Sequence, residues 1–135
     1  MPLDLTIVTP SGTAYRGDVD SVVLPGSEGY FGVLPGHERF LCPLRTGEVQ
    51  IHTGNQTIYA AACEGFADVS AEQVIVLVDS CELAADIDSA RAEIECQHAE
   101  QGLAALDRDS GAARIAEYEA ALARARNRLT VSQRK

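Results

Sequence analysis

The stretch from Val22 to His37, Val-Val-Leu-Pro-Gly-Ser-Glu-Gly-Tyr-Phe-Gly-Val-Leu-Pro-Gly-His, constrains the fold more than any other part of the chain. Two Leu-Pro-Gly steps, at Leu24-Pro25-Gly26 and Leu34-Pro35-Gly36, bracket it, and Gly29 and Gly32 fall between them. Proline fixes φ and lacks an N–H, while glycine supplies positive φ, so a helix is excluded and the apolar residues read as very short strands joined by tight turns. That punctuation persists as far as Glu82 and is gone after Asp86.

Around this stretch, alternation marks further strands. Leu3, Leu5, Ile7 and Thr9 alternate with Asp4, Thr6 and Val8 up to a break at Pro10-Ser11-Gly12. A second strand is expected from about Ala14 to Leu24, and a short apolar one from Arg39 to Leu44, broken at Pro43. Gly47 to His52 alternates cleanly, and Thr53-Gly54-Asn55-Gln56 turns the chain onto Thr57–Ala61. Phe66–Val69 and Val74–Val78 form another hairpin around Ser70-Ala71-Glu72-Gln73. Short strands at intervals near ten residues predict an antiparallel β sandwich of about ten strands over residues 1–85. Asn55-Gln56-Thr57 fits a glycosylation sequon by chance.

From Asp86 to Lys135 the period changes. Apolar residues fall at Ala92, Cys96, Ala99, Leu103 and Leu106, then at Ile115, Tyr118, Leu122, Ala125 and Leu129. Those spacings of three and four define two helical stripes, separated by Asp109-Ser110-Gly111, and predict an antiparallel two-helix hairpin over residues 86–135. Its seam is poor in large side chains. Each Ala or Cys where a Leu could sit forgoes up to roughly 2 kcal/mol of burial, and Gly102 lowers helix propensity by about 1 kcal/mol. Such a hairpin is either a poorly optimised appendage or a switch that opens, and the arginines at its open end favour the switch.

Charge divides the chain as well. Residues 1–85 carry eleven Asp and Glu against three Arg, a balance that repels nucleic acid and anionic lipid; residues 86–135 carry nine against eight basic residues. Arg124, Arg126, Arg128, Arg134 and Lys135 make the last twelve residues basic, suited to an acidic partner or a phosphate, or simply to a solvated helix end. With the turn near Ser110, Arg128 lies opposite roughly Arg91, and Arg124 shares its face. The three guanidinium groups and the N-terminus of the first helix would form an anion site, with Asp88 placed for a ribose or base donor. The competing reading pairs these arginines with Glu82, Asp86 and Asp88.

Catalytic motifs are missing from the sequence. Gly26, Gly29 and Gly32 match neither a dinucleotide fingerprint nor a phosphate loop, and the one lysine is Lys135. Cys42, Cys63, Cys81 and Cys96 are too widely spaced for a metal or redox motif, and His37, His52 and His98 are scattered, so buried free thiols and no metal site are expected. No 18-residue apolar run occurs and the first residues enter an alternating pattern directly, so the expectation is a cytoplasmic or organelle-matrix protein without direct membrane insertion.

The 22–37 stretch, Leu44-Arg45-Thr46-Gly47-Glu48-Val49, Gly65-Phe66, Val74-Ile75-Val76-Leu77, Asp86–Ala92 and Arg124–Leu129 together resemble the epsilon-subunit family of F-type rotary ATP synthases, over nearly the full length. The resemblance implies a non-catalytic central-stalk subunit, peripheral on the cytoplasmic face of the cell membrane, of a proton- or sodium-translocating synthase. Its sandwich would dock on the gamma subunit and the membrane rotor c-ring. Its hairpin would either fold down or extend into the alpha/beta catalytic head and block ATP hydrolysis.

Ile87-Asp88-x-x-Arg91-Ala92 looks like the ATP-binding motif of some bacterial members. By that similarity Glu82, Ile87, Asp88, Arg91, Ala92, Arg124 and Arg128 are the nucleotide-binding candidates, with ATP as a regulatory ligand and no cofactor required. Glu28, Tyr30 and His37 are candidates for ring contact, His37 being equally well read as a structural turn residue. Three departures stand out: His98 where ATP-binding relatives can carry Arg, Glu64 where a Gly usually precedes Gly65-Phe66, and Tyr30 in place of a common acidic residue. The alternative to a rotor subunit is a free-standing ATP-sensing module; an enzyme ranks last.

Overall fold

The computed structural model describes residues 2–106 and 111–134. Ten strands come first: β1 (Leu3–Thr9), β2 (Gly12–Val19), β3 (Ser21–Gly26), β4 (Gly29–Val33), β5 (Phe40–Leu44), β6 (Gly47–Thr53), β7 (Gln56–Ala62), β8 (Gly65–Val69), β9 (Gln73–Val78) and β10 (Cys81–Leu83). A single 3-10 turn (Ala84–Asp86) leads to helices α1 (Ser89–Ala104) and α2 (Ala112–Ser132). The predicted sandwich followed by two helices is therefore the observed architecture. Asp109 and Ser110 of the expected turn lie outside the described residues.

The strands run in the order β10-β7-β6-β3-β5-β8-β9-β1-β2, with β4 paired to β3. Among the described residues every pairing is antiparallel except β1 with β9, where Leu5 lies beside Val74 and Ile7 beside Val76. The sheet folds over one core because inward positions alternate along each strand: Leu3, Leu5 and Ile7 from β1, Val22 and Leu24 from β3, Val49 and Ile51 from β6, and Val74 and Val76 from β9 are all fully buried. The buried members of this core are all Leu, Ile, Val or Ala.

Two boundaries depart from the sequence expectation. The strand read from Ala14 to Leu24 is two strands, broken at Asp20, because β2 pairs with β1 whereas β3 crosses to β6. Asp20 makes the crossing, its N–H donating to the His52 carbonyl at 2.8 Å and its carboxylate accepting from the Gly54 N–H at 2.8 Å. The first Leu-Pro-Gly step is not a turn either. Pro25 stays inside β3 opposite Tyr30, since its fixed φ suits an extended strand and its missing N–H costs only one ladder bond. The second step does turn, with Gly36 at φ 87°.

Helix α1 starts where Asp88 caps it, the carboxylate accepting from the Arg91 N–H at 3.2 Å. Ala92, Cys96 and Ala99 of α1 and Leu122 and Ala125 of α2 are buried, as the stripes predict, whereas Leu103, Leu106, Ile115, Tyr118 and Leu129 are only partly covered. Gly102 has a packing reason. A Cβ there would stand 2.3 Å from the Tyr118 ring, so the missing side chain is the seat of that ring. Val131 and Ile87 join Ala61, Ala84 and Ala92 in a second apolar cluster, which joins α2 to β7 and the 3-10 turn.

Candidate functional site

The short strand β10, which no sequence signal separated from its surroundings, sets Glu82 on the sheet edge opposite α2. Glu82 grips Arg128 with both oxygens: Arg128 Nε donates to Oε1 at 2.8 Å and Nη2 to Oε2 at 3.3 Å. Arg128 Nη1 also donates to Glu95 Oε2 on α1, and Arg91 Nε lies 3.3 Å from Glu95 Oε1 one helical turn away. Burial alone would lower the Arg128 pKa, but its bonds to Glu82 and Glu95 outweigh that and raise it above the ordinary arginine value.

Arg124 and Arg128 line one cavity of about 350 Å³ between the sandwich edge and both helices, together with Cys63, Ser80, Glu82 and Glu95. The structure thus gathers Glu82, Arg124 and Arg128 around a common space and ties Arg91 to Arg128 through Glu95. Asp88 is exposed and already occupied as the α1 cap. Ile87 and Ala92 are buried in the second apolar cluster and position the start of α1. The competing reading, in which the arginines pair with nearby acids, holds for Glu82. The second acid is Glu95, however, and Asp88 is spent on the cap. Glu95 could have been picked out as the residue four beyond Arg91.

Farther along α2 the hairpin is seated by polar contacts that sequence reasoning missed. Asn127 Nδ2 donates to the Gly47 carbonyl at 2.8 Å and to that of Ala62 at 3.4 Å, two residues paired across β6 and β7. Arg134 Nε donates to Glu48 Oε2 at 3.1 Å, and its guanidinium lies 5.1 Å from the centre of the Tyr59 ring. Arg126 pairs with Glu100 at 3.5 Å on the exposed side of the hairpin. Three of the four arginines of the basic end therefore already hold carboxylates, and Lys135 lies outside the described residues.

Glu28, Tyr30 and His37 line a separate cavity of about 390 Å³ with Phe31, Phe40 and Cys42. The Tyr30 hydroxyl accepts from the Glu48 N–H at 3.1 Å, and Arg45 stacks over the ring at 5.4 Å. His37 packs against Phe40, ring centres 4.9 Å apart, and donates from Nδ1 to the Glu38 carbonyl at 2.8 Å, which is the geometry of a turn residue. Part of the outer face of β5, β8 and β9 is apolar, with Asp68 standing across from Leu41. Leu41, Phe66 and Leu77 are each more than half exposed, with Phe66 directly across from Leu77 and from Pro43.

Among the described residues no three His, Cys, Asp or Glu side chains are grouped to hold a metal ion, and no helix is long and apolar enough to cross a membrane.

A strand-rich domain followed by helices is the arrangement that the ATP synthase Delta/Epsilon chain models describe, a beta-sandwich domain and then a long alpha-helix domain. Residues 2–84 match the family model for the beta-sandwich domain of the ATP synthase Delta/Epsilon chain, and residues 85–133 match that for its long alpha-helix domain. The chain belongs to this family. It is 37% identical over 132 residues to the ATP synthase epsilon chain of Halalkalibacterium halodurans, covering 98% of each, and 39% identical over 103 residues to that of Anoxybacillus flavithermus, covering 76% and 77%. Its fold is similar to a chain of the Euglena gracilis mitochondrial ATP synthase, with a TM-score of 0.77 and 22% identity over 90% of this chain and 76% of that one. A chain from the central stalk and c-ring of the Tetrahymena thermophila mitochondrial ATP synthase aligns with a TM-score of 0.65 and 10% identity over 98% and 97%.

Proposed function

We propose that the chain is a non-catalytic central-stalk subunit of a rotary ATP synthase that couples rotation and restrains ATP hydrolysis through its C-terminal hairpin. The sandwich docks on the gamma subunit through the apolar strip of Leu41, Pro43, Phe66 and Leu77, a patch of the kind that marks a protein interface. The neighbouring end with Glu28, Tyr30 and His37 faces the membrane c-ring. The complex holds the subunit peripherally on the inner face of the cell membrane.

The observation that carries the regulatory part is how the hairpin is seated. Among the described residues its contact with the sandwich includes one small apolar cluster and separable polar ties at Asn127, Arg128 and Arg134. An element held this way leaves without disturbing the sandwich core, and once released its basic end enters the acidic surroundings of the alpha/beta head. ATP bound at the Arg124 and Arg128 cavity would favour the closed form. At a hundred times its dissociation constant a ligand contributes about 2.7 kcal/mol, whereas driving a switch from 1:99 to 99:1 needs about 5.5. Nucleotide therefore biases the hairpin, and contacts in the head supply the remainder.

Reconstituting the synthase with a chain ending at Asp86 tests the reading. Hydrolysis is expected to rise while assembly with gamma is retained. Unchanged hydrolysis would remove the regulatory role, and failure to assemble with gamma although the sandwich folds would remove the docking assignment.

A further inference from the structure

Glu95 lies on the wall of the cavity that Arg124 and Arg128 line. Its two oxygens are divided between two arginines on different helices, Oε1 on Arg91 of α1 and Oε2 on Arg128 of α2. Glu82 differs, because both its oxygens go to Arg128 alone and its tie runs from α2 to the sandwich. Glu95 is therefore the residue that both cross-links the helices and neutralises two of the three arginines proposed above for an anion.

We infer that Glu95 is an internal occupant of the arginine cradle, closing the hairpin without nucleotide and competing with the phosphate chain of any nucleotide that enters. The inference rests on the nucleotide-binding reading of this cavity and adds to it the group that regulates access. Counting charges, Arg91, Arg124 and Arg128 against Glu82 and Glu95 leave the cradle at about +1; without Glu95 it stands at about +2, and Arg91 and the Nη1 of Arg128 are released while Glu82 still holds the Nε and Nη2 of Arg128. A polyphosphate brings several negative charges beside a carboxylate that is only partly exposed and so poorly screened. A phosphate oxygen must compete with the Glu95 carboxylate for the Arg91 Nε and Arg128 Nη1 donors that now hold it. The ligand class is an anion with several adjacent phosphate groups, long enough to span Arg91 and Arg128.

Glu95→Gln keeps the side-chain volume and removes the charge. Calorimetric titration of the full chain with ATP, and separately with inorganic tripolyphosphate, compares it with the unaltered chain, Glu82→Gln and Arg128→Ala, with amide hydrogen exchange of α2 read on the same samples. The expected result is that Glu95→Gln binds both probes on the order of tenfold tighter, that Glu82→Gln gains less, and that Arg128→Ala loses binding. If the unaltered chain binds ATP and Glu95→Gln binds no tighter, the competition is refuted while the nucleotide reading stands. If neither binds ATP, the nucleotide reading fails and the inference fails with it. If α2 loses exchange protection in Glu95→Gln without a gain in affinity, Glu95 is a structural tie and the inference is overturned.

Discussion

Arg134, on the turn that ends α2, reaches back across the sequence to Glu48 on β6, Nε to Oε2 at 3.1 Å, and so covers a side chain that is only 10% exposed. Glu48 also accepts from Gln50 Nε2 at 3.0 Å, which leaves Oε2 to the arginine. Replacing Arg134 with Ala strands a mostly buried charge, and a hydrogen bond to a charged group contributes about 1.5–3 kcal/mol. Because Arg134 is itself half exposed, the lower end applies. Exchange protection of the last turn of α2 should fall accordingly. Glu48→Gln combined with Arg134→Ala should recover part of the loss, as no charge is then left buried.

Asn127 tests the middle of the same contact. Its amide caps the carbonyls of Gly47 and Ala62, and Asn127→Ala should cost about 1 kcal/mol in urea unfolding, the ordinary net value of a hydrogen bond. The sandwich strands should keep their exchange protection, since the loss falls on the hairpin alone.

Gly102 reverses the usual expectation for a helix. Ala is better than Gly in a helix interior by about 1 kcal/mol, yet the added methyl would stand 2.3 Å from Tyr118. Overpacking of this kind costs about 1–3 kcal/mol. Gly102→Ala should therefore lower the stability of the hairpin, and the same substitution in a Tyr118→Ala background should raise it. Thermal melts of the four chains give both signs.

Cys81 gives a pH dependence. Burial first, then the nearby Cys63 and Glu82, push its thiol from 9.0 up to about 12. A folded pKa above the unfolded one means that the native state keeps a proton the unfolded chain gives up. The contribution is whole below pH 9 and is lost as pH rises toward about 12. Cys81→Ala should flatten the fall of unfolding free energy across that window, and at pH 8 the native thiol should react with iodoacetamide far more slowly than the unfolded chain.

The fold was legible because its signals are local. Alternation in Leu3–Thr9 and Gly47–Thr53, turn residues between strands, and the helical spacing of Ala92, Cys96 and Ala99 need no distant contact to be read. The pairing of β1 beside β9 needs one, as does the break at Asp20, where the chain changes partners. Pro25 inside β3 misleads because a proline that follows an apolar run suits an extended strand as well as a turn. The site was half legible. Arg124 and Arg128 share a helix face by spacing, whereas Asn127 to Gly47 and Arg134 to Glu48 join residues some eighty positions apart, and nothing local marks either partner. Glu95 lay within reach of the rule that residues four apart on a helix meet, but its bond to Arg128 comes from helix packing.

The most direct test of a hairpin that inhibits only after leaving the sandwich is ATP hydrolysis by a reconstituted synthase carrying Asn127→Ala together with Arg134→Ala. Loosening the seat should shift the hairpin toward the catalytic head and lower hydrolysis below that of the unaltered complex, opposite in direction to removal of residues 87–135. Hydrolysis that stays the same or rises in the doubly substituted complex would contradict the account.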